Sequence, residues 1–106
     1  MKEWKIVKQD ERYTVRDNST LENLIASTTL LNPNCSTTGH SHKGQEEVYI
    51  FREGRGTIEI DEIYMPVKKG DIVFVEDGCF HRVHNNFDDS LESVCVFAGK
   101  RKQERE

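Results

Sequence analysis

Apolar residues fall in short bursts along this chain, separated by Gly, Asn and charged clusters, and no stretch carries the spacing of a long helix. Trp4, Ile6 and Val7 predict an opening strand. Leu24–Leu31 is rich in β-formers and ends at Asn32-Pro33-Asn34, a turn signal. Glu47–Phe51 forms a second dense run. Thr57–Ile60 and Ile63–Val67 flank Asp61-Glu62 and predict a hairpin, although a two-residue turn prefers Gly or Asn there. Asp71–Val75, Phe80–Val83 and Ser93–Phe97 complete the strands, with Lys68-Lys69-Gly70, Glu76-Asp77-Gly78 and 85–90 as the loops between them. Many short strands with turn residues between them predict an all-β chain, a small antiparallel β-barrel or jelly roll.

Length and composition narrow this further. The chain has 106 residues, 35% of them hydrophobic and 32% charged, enough for one domain around a modest core. We expect that domain over residues 1–98, with 99–106 as a charged, frayed tail lacking an apolar anchor. No apolar run approaches the ~20 residues that span a bilayer. The first seven residues alternate charged with apolar ones, unlike a secretory signal. A net charge of −4, with nothing that concentrates Lys or Arg on one surface, argues against nucleic acid as a partner, and the lack of a long apolar run argues against a membrane. Cys35, Cys79 and Cys95 are odd in number and widely spaced, which fits reduced thiols and a cytoplasmic location. Asn18-Ser19-Thr20 and Asn34-Cys35-Ser36 match a glycosylation pattern that is idle there.

The chemistry gathers around histidine. Three of the four histidines stand in one pattern: Gly39-His40-Ser41-His42, then Glu47 and Gly54, and later Gly70, Gly78, His81 and Asn85. On an extended strand His40 and His42 face the same side, ~7 Å apart, while Ser41 faces the other. A turn at Gly44 brings in Glu47 at the head of the next strand, and His81 opens a third. His84 has the opposite parity to His81 and should face away, as a surface or interface residue. Tyr49 and Phe51 share the side of Glu47, and Val83 that of His81, so these three should line the same pocket. Val48 and Ile50 then face outward and need cover, which predicts a homodimer.

These residues resemble the two motifs of the cupin family. The first is matched by His40, His42, Glu47 and Gly54, with Gly39 closer to the histidine than in the family pattern. The second is matched by Gly70, Gly78, His81 and Asn85, with Glu76 where the family has proline. Fifteen residues separate Gly54 from Gly70, close to the short spacer of compact microbial members. The resemblance implies a β-barrel holding one divalent transition-metal ion on His40, His42, Glu47 and His81. Ligand type alone leaves iron, manganese, nickel, cobalt and zinc open.

A narrower resemblance runs through Thr37-Thr38-Gly39-His40-Ser41-His42, Glu47-Val48-Tyr49 and Gly54-Arg55-Gly56. It is similar to the first signature of archaeal cupin-type glucose-6-phosphate isomerases. That implies Thr38 and Tyr49 near a sugar ligand. The gap before Glu47 is shorter here, Arg52 takes an apolar position, and Glu76-Asp77 replaces a proline pair.

Three neutral imidazoles and one carboxylate leave a divalent ion with a net charge near +1, attractive to paired oxygen donors. The expected function is therefore a metal-dependent enzyme of isomerase or epimerase type, on a small polyhydroxylated or acidic metabolite. Tyr49 is its candidate general acid or hydrogen-bond donor. An Fe(II) dioxygenase and a non-catalytic carbohydrate-binding or sensing module are the alternatives.

Overall fold

The computed structural model describes residues 4–99. Of the expected tail at 99–106, residues 100–106 lie outside the described residues. Ten strands run in the order β1 (Lys5–Gln9), β2 (Tyr13–Asn18), β3 (Leu24–Leu31), β4 (Cys35–Ser36), β5 (Glu47–Glu53), β6 (Arg55–Ile60), β7 (Ile63–Lys68), β8 (Ile72–Val75), β9 (His81–Asn85) and β10 (Leu91–Ala98). They form a six-stranded sheet, β1-β2-β3-β10-β5-β8, and a four-stranded sheet, β4-β9-β6-β7. Every pairing is antiparallel. The fold is thus an all-β barrel of the jelly-roll type. Among the described residues no helix is long and apolar enough to cross a membrane.

Two-residue periodicity explains how the interior is filled. Along β5, Glu47, Tyr49 and Phe51 are buried, while Val48 and Ile50 are half-buried on the other face. Along β10 the same alternation buries Leu91, Ser93, Cys95 and Phe97. Tyr13, Phe51, Ile58, Leu31, Leu91 and Phe97 are each 2% exposed or less and anchor the core. Burying such a side chain contributes roughly 1.5–3 kcal/mol, so this set stabilises the barrel against a large loss of chain entropy.

Two strands were not legible in the hydrophobic pattern. β2 buries Asp17 beside Tyr13 and Val15, and its outward residues are polar, so its alternation is masked. β4 has two residues, which pair with Asn85 and His84.

The β6–β7 hairpin forms as expected, with Ile60 opposite Ile63. Asp61 (φ 47°) and Glu62 (φ 68°) both adopt the left-handed conformation of a primed turn without glycine. That conformation costs an L-residue roughly 1–2 kcal/mol. Asp61 offsets part of it by accepting a hydrogen bond from Phe80 N (2.9 Å), while its own N donates to Phe80 O (2.9 Å). The turn is thereby fastened to the loop that delivers His81.

Candidate metal centre

The segment carrying His40 and His42 is a loop, not the regular strand that the spacing predicts. Its one ladder contact is a bridge between His40 and His81. His40 N donates to His81 O (3.2 Å) and His81 N donates to His40 O (3.0 Å). Gly39 packs so closely on Phe80 that a Cβ there would lie 2.1 Å from Cζ, so any larger residue would have to displace the Phe80 ring. The extended alternation survives locally: Ser41 is exposed while His40 and His42 are half-buried.

The loop before His81 lacks the family's proline and is braced by hydrogen bonds. Asp77 Oδ1 accepts from Gly44 N (2.7 Å), Gly78 N donates to His42 O (3.1 Å), and Cys79 N donates to Glu76 O (3.1 Å). Gln45, itself buried, donates to Ala98 O (2.8 Å) and pins the histidine loop to β10. The two halves of the motif are thus tied together by backbone and carboxylate, the work a rigid proline would otherwise share.

Those constraints bring three of the four expected ligands together, with His42 outside that group. Ligand atoms of His40, Glu47 and His81 all lie within 4.8 Å of one another. The His42 ring stands beside them, 4.9 Å from the His40 ring, and the His40 and His81 rings meet edge-to-face at 4.4 Å. His81 Nε2 lies 3.4 Å from Glu47 Oε1, both side chains being 2% exposed. The Nδ1 of His81 is 3.2 Å from the Cys79 carbonyl. A carbonyl only accepts, so Nδ1 carries a proton; in the neutral ring this leaves Nε2, which faces Glu47, as the nitrogen with a lone pair. This is how a metal-binding histidine is normally oriented.

The donor set fits a divalent ion. Both ring nitrogens of His40, and Nε2 of His42 and His81, are sealed from solvent. Three imidazoles and a carboxylate gathered inside a barrel are costly as packing, since a buried carboxylate loses several kcal/mol of hydration. A cation restores that loss. The Cys95 thiol adds to the carboxylate's environment, donating to Glu47 Oε1 at 2.9 Å.

The expected pocket residues divide. Tyr49 is 5% exposed, with its ring 5.8 Å from that of His81 and stacked on Phe51 at 6.2 Å. Phe51 and Val83 are buried inside the barrel. The space beyond Tyr49, walled by Thr37, Val83 and Ser93 among others, is too narrow for a water molecule. Thr38 is exposed, and its hydroxyl lies 3.2 Å from Arg12 Nη1, which donates to it, and 3.4 Å from Tyr13 Oη. Thr37 is the buried member of the pair, and its Oγ1 accepts from Val83 N (3.1 Å). Arg12 is held in place by Asp10, whose carboxyl it keeps down to about 2.

His84 stands on the opposite face of β9 from His81 and Val83. Its Nε2 donates to Glu59 Oε1 (2.9 Å), and its Nδ1 accepts from the Ser36 hydroxyl (2.7 Å). Tyr64 stacks on the ring at 5.7 Å. The hydrogen bond from His84 holds the Glu59 carboxyl below the usual carboxylate range. This cluster ties β4, β9, β6 and β7 across the outer side of their sheet, a role that the lone parity of His84 did not reveal.

The comparisons with known proteins agree with this fold. The family model described as the cupin domain, Cupin_2, matches residues 27–97. An oxalate-binding protein of Thermotoga maritima is 32% identical over 66 residues, 62% of this chain and 54% of that protein. An uncharacterized protein of Methanocaldococcus jannaschii is 34% identical over 56 residues, 53% of this chain and 45% of its own. The chain spans about half the length of the curated relatives it matches. Among solved structures, a predicted oxalate decarboxylase of Thermotoga maritima superposes with a TM-score of 0.71 at 25% identity, over 80% of each chain. KdgF from Halomonas sp. superposes with a TM-score of 0.79 at 16% identity, over 98% of this chain and 92% of that one, a likeness of fold. The family match covers more than half of the chain, and the chain belongs to the cupin family.

Proposed function

We propose that the chain holds one divalent transition-metal ion on His40, His42, Glu47 and His81 and uses it to bind a small acidic metabolite through paired oxygens. The observation that carries this reading is the meeting of His40, Glu47 and His81 ligand atoms within 4.8 Å inside the barrel. A bound ion would supply a positive centre that draws electron density from the ligand's oxygens. Tyr49, whose ring is edge-on to His81, would be the hydrogen-bond donor that orients such a ligand.

One observation weighs against a sugar phosphate. Thr38, which a sugar-isomerase role would place beside the substrate, is exposed and engaged with Arg12 and Tyr13. The Thermotoga maritima relative named for oxalate binding supports a small acid, since oxalate is a compact bidentate dicarboxylate. An isomerase or epimerase step would need a base beyond Glu47, which serves as a ligand; binding is therefore the reading the geometry supports first. The three unbridged thiols, Cys35, Cys79 and Cys95, support a reducing, cytoplasmic setting.

The test is thermal melting of Mn²⁺-loaded protein with oxalate or glucose 6-phosphate. Oxalate at a hundredfold excess over its dissociation constant adds about 2.7 kcal/mol of stability. We expect a rise in Tm of more than ~10 °C that disappears with chelator. Stabilisation by glucose 6-phosphate and not by oxalate would reverse the choice of ligand.

We further propose that a second copy of this chain covers the outer face of the six-stranded sheet. Register aligns Phe74 and Ile72 of β8 with Val48 and Ile50 of β5, and these with Val96 and Val94 of β10. Phe74 is 71% exposed and Ile72 57%. The charged residues at the end of this patch, Arg52 and Glu92, neutralise each other at 2.9 Å. An apolar face without net charge suits pairing with its own twofold copy. Light scattering at micromolar concentration is expected to give a dimer, and Phe74→Glu a monomer. A monomeric wild type would rule this face out as a dimer interface.

A further inference from the structure

We propose that Cys95 is a positioning residue for the metal-binding carboxylate of Glu47, acting through its thiol hydrogen and not as a ligand. The inference rests on the metal reading above and assigns a role to a residue outside the family motifs.

Cys95 lies on β10, 6% exposed, on the inward face. The β10–β5 register pairs Cys95 with Tyr49 and Phe97 with Glu47, so the thiol sits diagonally across from the carboxylate. Its Sγ is 2.9 Å from Glu47 Oε1. Carboxylate oxygen accepts, so the S–H donates, and a weak thiol donor gains most from a charged acceptor. On the other side, register sets Cys95 opposite Ser27, and Ser27 opposite Asp17. All three are buried, so a line of polar side chains crosses three strands and ends at Glu47.

Packing alone does not require that line; an aliphatic side chain at 95 would fill the wall. A positioning role does require it. The terminal torsion of a glutamate is broad and roughly two-fold, so the carboxylate plane is free unless something holds it. The thiol takes one lone pair of Oε1 and fixes that plane while Oε1 faces His81 Nε2 at 3.4 Å. With its hydrogen on Oε1, Sγ reaches the metal centre through Glu47. Partners of this kind are worth about 10–100-fold in metal affinity.

The experiment is Co²⁺ titration of wild type, Cys95→Ser and Cys95→Ala, read by visible d–d absorption, with melting of each metal-free protein measured alongside. Cys95→Ala is expected to weaken Co²⁺ binding about tenfold or more and to shift the d–d band. Cys95→Ser keeps a donor and is expected to restore both affinity and band. If packing were the cause, the smaller, more polar serine would rescue nothing, and metal-free stability would track affinity. Wild-type affinity in Cys95→Ala would overturn the proposal, as would equal losses in Ser and Ala. A sulfur-to-cobalt charge-transfer band in wild type would also overturn it, by making Cys95 a ligand. A wild type showing no d–d band at all removes the metal reading itself; Cys95→Ala behaving as a normal Co²⁺ binder removes only the positioning role.

Discussion

Changing His40, His42 or His81 to Ala is expected to empty the metal centre, while His84→Ala leaves it filled. The four histidines differ in direction and neighbours, not in chemistry. His40, His42 and His81 converge, with ring centroids 4.9 and 4.4 Å from His40. His84 is three residues beyond His81 on the other face of the same strand, bonded to Ser36 and Glu59. Losing one ligand of four should weaken a divalent ion by well over the roughly 10–100-fold that a supporting residue is worth. The three changes should separate in stability. His81 is 2% exposed and packed against His40 and Tyr49, so its removal also leaves a void and lowers Tm even without metal. His42, half-buried in a loop, should lower metal-free Tm least. Equilibrium dialysis with Zn²⁺ and melting with chelator measure the two effects apart. Loss of metal in His84→Ala, with the other three intact, would put the centre on the wrong face of β9.

The largest loss of stability is expected at Asn85, at the far end of that strand. Asn85 is fully buried, and its side chain organises a whole loop. Its amide nitrogen lies within hydrogen-bond distance of the carbonyls of Leu31 (3.3 Å), Asn32 (3.2 Å) and Asp89 (2.8 Å). Its oxygen accepts from Phe87 N (3.1 Å). Asn85→Ala leaves several buried groups without this partner, at about 1–3 kcal/mol for each that water cannot reach. A total near ~3 kcal/mol would lower Tm by roughly 15 °C in a domain of this size. The asparagine of the motif is thus a fastener for the 85–91 connection, remote from the ligands. Metal-loaded Asn85→Ala, measured well below its Tm, should bind the ion nearly as the wild type does. A change in Tm of only a degree or two would mean that water replaces the amide.

Much of this was legible in the chain itself, for reasons that differ by element. Leu24–Leu31 forms a strand over those same residues because β-formers fill it and Asn32-Pro33-Asn34 ends it. The inward run of Glu47, Tyr49 and Phe51 follows from period-two alternation on a strand with one buried face. β2 escaped because a buried Asp17 breaks the apolar rhythm, and acidic residues in a core are rare enough that a polar stretch reads as loop. The histidine loop shows the opposite case: its parity holds, yet backbone bonds to β9 and the Gly39–Phe80 contact maintain it, not a regular ladder. Cys95 and Glu47 are 48 residues apart, and their contact depends on β10–β5 register. No local pattern reports register between distant strands; the available signal was the inward parity of Cys95 with Ser93 and Phe97.

The central claim is that one ion sits among His40, His42, Glu47 and His81. Elemental analysis of natively purified protein, beside the His40→Ala and His81→Ala variants, tests it most directly. The account predicts close to one divalent transition-metal ion per chain in the wild type, removable by chelator with a fall in Tm, because an ion that binds only the folded barrel stabilises it. Both variants should carry almost none. A wild type without stoichiometric metal, whose melting is the same with and without added ion or chelator, would contradict it.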